Sequence, residues 1–397
     1  MTPIEPPKNM PLSEILPATP TLLMGAGPVP IPYQVAQANG LVISHLGETM
    51  NRVIARVKEM SKYVFQTTSD HILGLAGPGS AAMEMAITNL LGPGKKVLIL
   101  NLGTFSARFG ELAKRVGAEV IFLKGEDFKP FTVEQVEAEL EKNHYDALTL
   151  VQGETSCGVK NIHLGPIAAA AKKRNVLVIV DAVCTLSTMP FKMDEWNIDV
   201  VMTCGQKGLS SIPGVSLIAF SEDAWKIIEQ RNPPHWCLDA KLANRFWSKH
   251  EYHYTAPVSG ILAIHEALRL ICLETLEKRF ERHLLSSHAL QTGLERMGLQ
   301  LFIPKEDRLN SVVAIQMPRD LKASDVLKHM LQTFNVEISG AFGLPIVRIG
   351  QMGEQCRFQN LSKVLYATGM SFKKFGTPID MNQGMAQIDS LQNRLDP

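Results

Sequence analysis

A lysine and an aspartate, each at the exit of an apolar run, are the residues of this chain best placed to do chemistry. Lys207 lies in Val200-Val201-Met202-Thr203-Cys204-Gly205-Gln206-Lys207-Gly208-Leu209, where a strand-like run breaks into a turn fenced by glycines. Asp181 closes the apolar run 176–180. A lysine amine desolvated near another cation has a lowered pKa and becomes a nucleophile toward carbonyl carbon. A carboxylate at a buried strand end is costly unless it meets a partner, such as the protonated nitrogen of an aromatic ring. Each residue also has a plainer reading. Lys207 is then a solvated turn lysine, and Asp181 a helix cap or a hydrogen-bonded core aspartate.

Other segments carry similar pairs of readings. Gly77-Pro78-Gly79-Ser80-Ala81-Ala82 follows an apolar run and opens a helix. Amides at such a helix start bind phosphate, or the glycines simply make the turn while Ser80 caps the helix. Ala82 stands where a dinucleotide fingerprint needs a third glycine. Arg348 interrupts an apolar strand in Val347-Arg348-Ile349-Gly350, where a forked guanidinium suits a carboxylate ligand or a salt bridge to an acid nearby. Hydroxyls in Glu154-Thr155-Ser156-Cys157-Gly158 and Tyr252-His253-Tyr254-Thr255 reach a ligand or serve as turn and packing groups. Phe105 stacks on a ring or belongs to the core. A strand-end aspartate followed by a strand-end lysine suggests a pyridoxal phosphate enzyme.

These residues need a scaffold that brings strand ends together. Seven short apolar runs, 72–76, 96–100, 119–123, 147–151, 176–180, 200–203 and 215–220, alternate with helical stretches at 81–91, 105–116, 132–142 and 167–174. That alternation predicts an α/β fold with a mostly parallel seven-stranded sheet, whose ligands sit at the carboxyl ends of strands. A long helical region over 258–297 leads to a smaller α+β unit: strand 312–316, helix 323–334, strands 336–339 and 346–349, helix 358–368. The implied organisation is an N-terminal segment 1–24, a large cofactor-binding domain 25–280, a small domain 281–377 and a loosely held tail 378–397.

With 397 residues, 45% apolar and 20% charged, the chain has the composition of an ordinary globular protein. A net charge of +1 gives no electrostatic case for nucleic acid or anionic membrane. No stretch approaches the roughly 20 apolar residues of a membrane span. The 6 cysteines form no C-x-x-C pair and read as reduced thiols. The N-terminal stretch lacks a signal pattern and Leu395-Asp396-Pro397 is no peroxisomal address, so a cytoplasmic protein is expected. No metal site is expected.

Taken together, the segments from Leu22 to Leu365 resemble class V aminotransferases, the alanine–glyoxylate and serine–pyruvate branch of fold-type I pyridoxal phosphate enzymes. The resemblance rests on Gly25-Ala26-Gly27-Pro28, Tyr63-Val64-Phe65-Gln66-Thr67, Gly153-Glu154-Thr155-Ser156-Cys157-Gly158, Val180-Asp181-Ala182-Val183, Gln206-Lys207 and Arg348-Ile349-Gly350-Gln351-Met352-Gly353. It implies Lys207 as the Schiff-base lysine and Asp181 as the ring-nitrogen partner. Val183 and Phe105 would flank the ring, with Ser156 near its hydroxyl. Gly79, Ser80, Ala81 and Gln206 would cradle the phosphate. Tyr252 and Thr255 would reach the phosphate of a neighbouring subunit, which implies a homodimer with shared active sites. Arg348 and Gly27 would bind substrate. The chain departs from the family at Phe105, often a tryptophan, at Cys157, at Gln351, often a histidine, and at Ile212-Pro213-Gly214.

The expected activity is transfer of an amino group from alanine or serine to glyoxylate or pyruvate. The alternative is a cysteine desulfurase or another lyase on the same fold. Gln206 stands where desulfurases place a histidine, and Cys356 is the nearest candidate for their reactive cysteine. A non-enzymatic or nucleotide-binding α/β protein is the rival of another class.

Overall fold

The computed structural model describes residues 4–389. Expectations about the end of the tail, including Leu395-Asp396-Pro397, lie outside the described residues. All seven apolar runs become strands of one sheet: β1 (Ile72–Ala76), β2 (Lys96–Asn101), β3 (Glu119–Lys124), β4 (Ala147–Val151), β5 (Leu177–Asp181), β6 (Val200–Cys204) and β7 (Val215–Phe220). Their order is β1-β7-β6-β5-β4-β2-β3. β4, β5, β6 and β7 are buried at every position, which is why they read as unbroken apolar runs.

β7 runs antiparallel to both of its neighbours, and every other pairing is parallel. All strands but β7 therefore direct their carboxyl ends to one edge of the sheet. β3 follows β2 on one flank while β4 lies on the other, so strand order reverses between β2 and β4. A crevice at such a reversal is where open α/β sheets bind ligands. The connections leaving β1 and β2 open α1 (Gly79–Leu90) and α2 (Thr104–Arg115) at that edge.

The expected single helical region over 258–297 is two helices, α3 (Val258–Glu274) and α4 (Leu276–Arg296). Thr275 separates them at φ +68° and caps α4 by accepting the Lys278 N–H at 3.5 Å. α4 then runs from one core to another. Leu276 packs against the sheet, while Ala289, Leu290 and Leu294 belong to the second core.

That second core gathers β8 (Val312–Gln316), α5 (Ala323–Phe334), β9 (Ile346–Gly350) and α6 (Phe358–Lys374), with β8 and β9 antiparallel. A two-residue strand from the N-terminal segment joins it: Leu22–Leu23 pairs in parallel with Val336–Glu337. Met24 continues the pairing, donating to the Glu337 carbonyl at 2.7 Å and accepting from Gly350 N–H at 2.8 Å.

The stretch after Pro378 differs from the loose tail expected. It forms α7 (Met381–Asp389), packed on the second core. Met381, Met385 and Ile388 recur at helical spacing and share one apolar stripe inside a polar composition. Gly384 allows the close approach, since a Cβ there would meet the Gly293 carbonyl of α4 at 2.9 Å.

Candidate active site

Lys207 emerges from the end of β6. Its Nζ donates to the Ala26 carbonyl, a contact between the N-terminal segment and the sheet edge. Gly27 sits at φ +107°, and a Cβ on it would fall 2.6 Å from Lys207 Nζ. Only glycine satisfies both the backbone angle and the space. The next turn is fixed from below, where Gly208 carbonyl accepts from Ser187 Oγ and Arg279 Nη2, each at 2.8 Å. Burial holds the Lys207 amine below its ordinary range. The nearby Arg348 charge adds to this, while the Cys204, Cys184 and Asp181 groups oppose it.

Asp181 ends β5, on the neighbouring strand. It is 8% exposed, and one carboxylate oxygen accepts the Val183 N–H at 2.7 Å. Burial pushes its carboxyl up to about 6, more than the Val183 amide and the Lys207 and Arg108 charges draw it down. No cation is in hydrogen-bonding or salt-bridge contact with Asp181 among the described residues. A carboxylate left in this condition is suited to a cationic partner brought by a ligand.

The turn after β1 opens α1 with Pro78 as its N-cap. Ser80 therefore lies inside the helix and does not cap it. Its hydroxyl accepts from Arg108 Nη1 at 2.7 Å. The Ala81 N–H donates to Pro78 carbonyl at 2.8 Å, leaving the Gly79 and Ser80 amides at the mouth of the turn. A Cβ on Gly79 would lie 2.9 Å from Val183 Cγ2, so the turn and the residue after Asp181 are packed together. Gln206 Oε1 is buried and has no hydrogen-bond partner among the described residues.

At the β2–β4 reversal, Glu154 reaches across and accepts from the backbone N–H groups of Phe105 (3.3 Å) and Ser106 (2.9 Å), the first turn of α2. A carboxylate there satisfies orphan amides and the helix dipole together. Ser156 donates to Glu154 at 2.6 Å and accepts from Thr104 N–H at 3.1 Å. The Phe105 ring lies under the Arg108 guanidinium, 5.0 Å from its centroid, and meets the Phe342 ring edge-on at 6.1 Å.

Arg348 comes from β9 and is 5% exposed. Instead of pairing with an acid of its own domain, it donates through Nη1 to Thr155 carbonyl (2.6 Å) and through Nε to Gly340 carbonyl (2.8 Å). Its charge is felt at Lys207, and that of Glu154 at Arg348. Lys207, Asp181, Val183, Gly79, Ser80, Gln206, Phe105, Ser156, Gly27 and Arg348 thus converge on one edge of the sheet. Tyr252 and Thr255 do not join them. Both are exposed, and Tyr252 packs edge-on against His45 at 5.8 Å.

Three contributors were not visible in the sequence as site residues. Arg108 falls one helical turn after Phe105, a spacing that puts both on one face and could have revealed it. Glu154 acts through backbone amides, and Phe342 belongs to a loop without pattern. Cys356, the cysteine weighed for sulfur chemistry, is fully buried, and burial raises its thiol pKa. That is the opposite of a reactive thiolate.

Pyridoxal phosphate fits the residues present. A buried amine of lowered pKa stands beside Gly27, a buried carboxylate has no cation in contact among the described residues, and a glycine-opened helix start packs against Val183 and Cys204. Gln206 Oε1 supplies a further orphan polar atom. The family model "Aminotransferase class-V" matches residues 32–359. Alanine–glyoxylate aminotransferase of Oryctolagus cuniculus is 33% identical over 357 residues, 87% of this chain and 91% of that protein. L-aspartate–glyoxylate aminotransferase of Paracoccus denitrificans is 30% identical, covering 91% and 93%. The crystal structure of ureidoglycine–glyoxylate aminotransferase from Bacillus subtilis superposes with a TM-score of 0.90 at 29% identity, covering 95% of this chain and 99% of that one. The chain belongs to the class-V aminotransferases, and is a pyridoxal-phosphate-dependent transaminase of the fold its sheet displays.

Proposed function

We propose that this chain moves an amino group from a small amino acid, alanine or serine, to glyoxylate, with pyruvate as the second acceptor. The observation that carries the reading is that the charges of Asp181 and Arg348, from different parts of the fold, both bear on the buried Lys207 amine. The relatives support the acceptor, since the alanine-, aspartate- and ureidoglycine-dependent enzymes all share glyoxylate.

Pyridoxal phosphate would supply an electron sink for the bond broken at the substrate α-carbon. Lys207 would hold it through the amine, and its lowered pKa leaves Nζ able to accept the α-proton of a bound amino acid and return it. Asp181 would keep the ring nitrogen protonated. The positive charge on that nitrogen would in turn offset the burial cost that the Asp181 carboxylate bears. Val183 and Phe105 would flank the ring, and Ser156 would lie near its hydroxyl. Gly79, Ser80, Ala81 and Gln206 would hold the phosphate, with the Ala81 amide shared with Pro78. Arg348 and Gly27 would receive the substrate carboxylate, which must compete with Gly340 and Thr155 carbonyls for the guanidinium. Tyr252 and Thr255, exposed on the protomer, would serve the phosphate of a neighbouring subunit, and we read the active form as a homodimer in the cytoplasm.

The test is a half-reaction panel on the purified holoenzyme. Alanine, serine, glycine and aspartate are mixed singly with enzyme while the visible absorbance of lysine-bound cofactor is followed. Rapid bleaching by alanine or serine, restored by glyoxylate, is expected. Bleaching by none of them, or sulfide release from cysteine, would end this reading.

A further inference from the structure

Phe342 is an exposed aromatic residue beside the site. It belongs to neither hydrophobic core and is 60% exposed. It sits in the connection from Val336–Glu337 to β9, between Gly340 and Gly343, the latter at φ +76°. Leaving such a ring in water forgoes about 1.5–3 kcal/mol of burial, so its contacts matter. They are two. Its edge meets Phe105 at 6.1 Å and 82°, and the Arg348 guanidinium lies 5.5 Å from its centroid. Arg348 also holds the base of the loop, through Nε on the Gly340 carbonyl at 2.8 Å.

We propose that Phe342 is a specificity-determining residue, the wall that limits the side chain of the amino donor. The inference rests on the assignment of Phe105 to the cofactor ring and Arg348 to the substrate carboxylate. An α-amino acid anchored by its carboxylate at Arg348 and by its nitrogen toward Lys207 has two substituents left on Cα. The hydrogen must face the Lys207 amine, so the side chain takes the fourth direction. Phe342 meets the ring-flanking Phe105 and the carboxylate anchor Arg348 at once, so it borders the space between the cofactor ring and the bound carboxylate. A ring in that place leaves room for a methyl or hydroxymethyl group and obstructs anything larger. Because the loop is fenced by glycines, the wall is a property of this one side chain.

The experiment compares kcat/KM for alanine with that for leucine at fixed glyoxylate, in holoenzyme carrying Phe342→Ala, Phe342→Leu or Phe342→Trp. For Phe342→Ala, the leucine-to-alanine ratio rises at least about tenfold, chiefly through the leucine KM, as expected for a pocket gaining room for several methylenes. Phe342→Leu gives a smaller rise, and Phe342→Trp lowers the ratio. Glyoxylate has no side chain, so its KM changes less than that of either donor. An unchanged ratio in Phe342→Ala with normal visible absorbance overturns the inference while leaving the site assignment standing. Equal losses for alanine, leucine and glyoxylate also overturn it, because Phe342 would then only position Arg348. Sustained turnover by Lys207→Ala would instead overturn the assignment beneath it.

Discussion

Replacing Asp181 by asparagine should separate the energetic cost of this carboxylate from its chemical use. In the cofactor-free protein its carboxyl is pushed up to about 6 from an ordinary 3.8, mainly by burial. The folded state therefore binds the proton more tightly than the unfolded chain. The stability this contributes is fully present below the unfolded pKa and is lost as pH rises through about 6. At 1.36 kcal/mol per pKa unit, the whole swing is about 3 kcal/mol. Between pH 8 and pH 5, one unit below the folded value, wild type gains roughly 1 kcal/mol from this group. Asp181→Asn keeps an oxygen for the Val183 N–H but has no proton to bind, so it gains nothing there. Urea unfolding of both apoproteins at pH 5 and pH 8, at matched concentration, reads the difference directly. With pyridoxal phosphate bound the relation should invert, since the ring nitrogen then needs the charge, and transamination by the variant should fall at least about 100-fold. Equal pH dependence of wild-type and Asp181→Asn apoproteins would refute the burial argument.

Three further outcomes follow from the same contacts. Lys207→Ala should lack the visible absorbance of lysine-bound cofactor, and multiple-turnover transamination should drop at least about 10⁴-fold, measured by oxo-acid release. Arg348→Lys trades a fork for a point charge, so KM for donor and glyoxylate should both rise about 10- to 100-fold with cofactor absorbance intact. Glu274 joins Arg279 at 2.8 Å and Arg282 at 2.9 Å, and its pKa is drawn down to about 2 by those partners despite burial. Glu274→Gln would strand two buried guanidinium groups and should cost about 3–5 kcal/mol in chemical denaturation. The wild-type contribution of Glu274 is present above the unfolded pKa of 4.5 and is lost as pH falls toward 2.

Glu274 also shows how the two halves of the site are tied. Arg279, which it pairs with, donates to Gly208 carbonyl beside Lys207. Arg282, its other partner, donates to Gly353 carbonyl at 2.8 Å, just past β9 and Arg348. His283 accepts the Gly353 N–H at 2.9 Å. One helix, α4, thereby sets the lysine turn against the arginine strand, and nothing in its local pattern marks it for that task.

Local chemistry decided what could be read from the sequence. The seven strands were legible because strands buried on both faces must be apolar throughout, whatever their neighbours. Asp181, Lys207 and Arg348 were legible because a charge inside or at the end of such a run violates that rule and demands a ligand or a partner. Gly27 and Gly79 could be suspected from their turns, but the reason for each is a distant side chain, Lys207 in one case and Val183 in the other. What the tertiary structure alone decided are contacts between segments far apart in the chain: Leu22–Leu23 completing the second core, Ala26 meeting Lys207, Glu154 capping α2, Arg348 reaching Thr155, and Phe342 meeting Phe105 edge-on. A two-residue strand is too short to carry a period, and a backbone carbonyl is the same in every residue, so neither leaves a mark in the sequence. Their partners are chosen by the strand order, which the packing of whole sheet faces sets and no single run encodes.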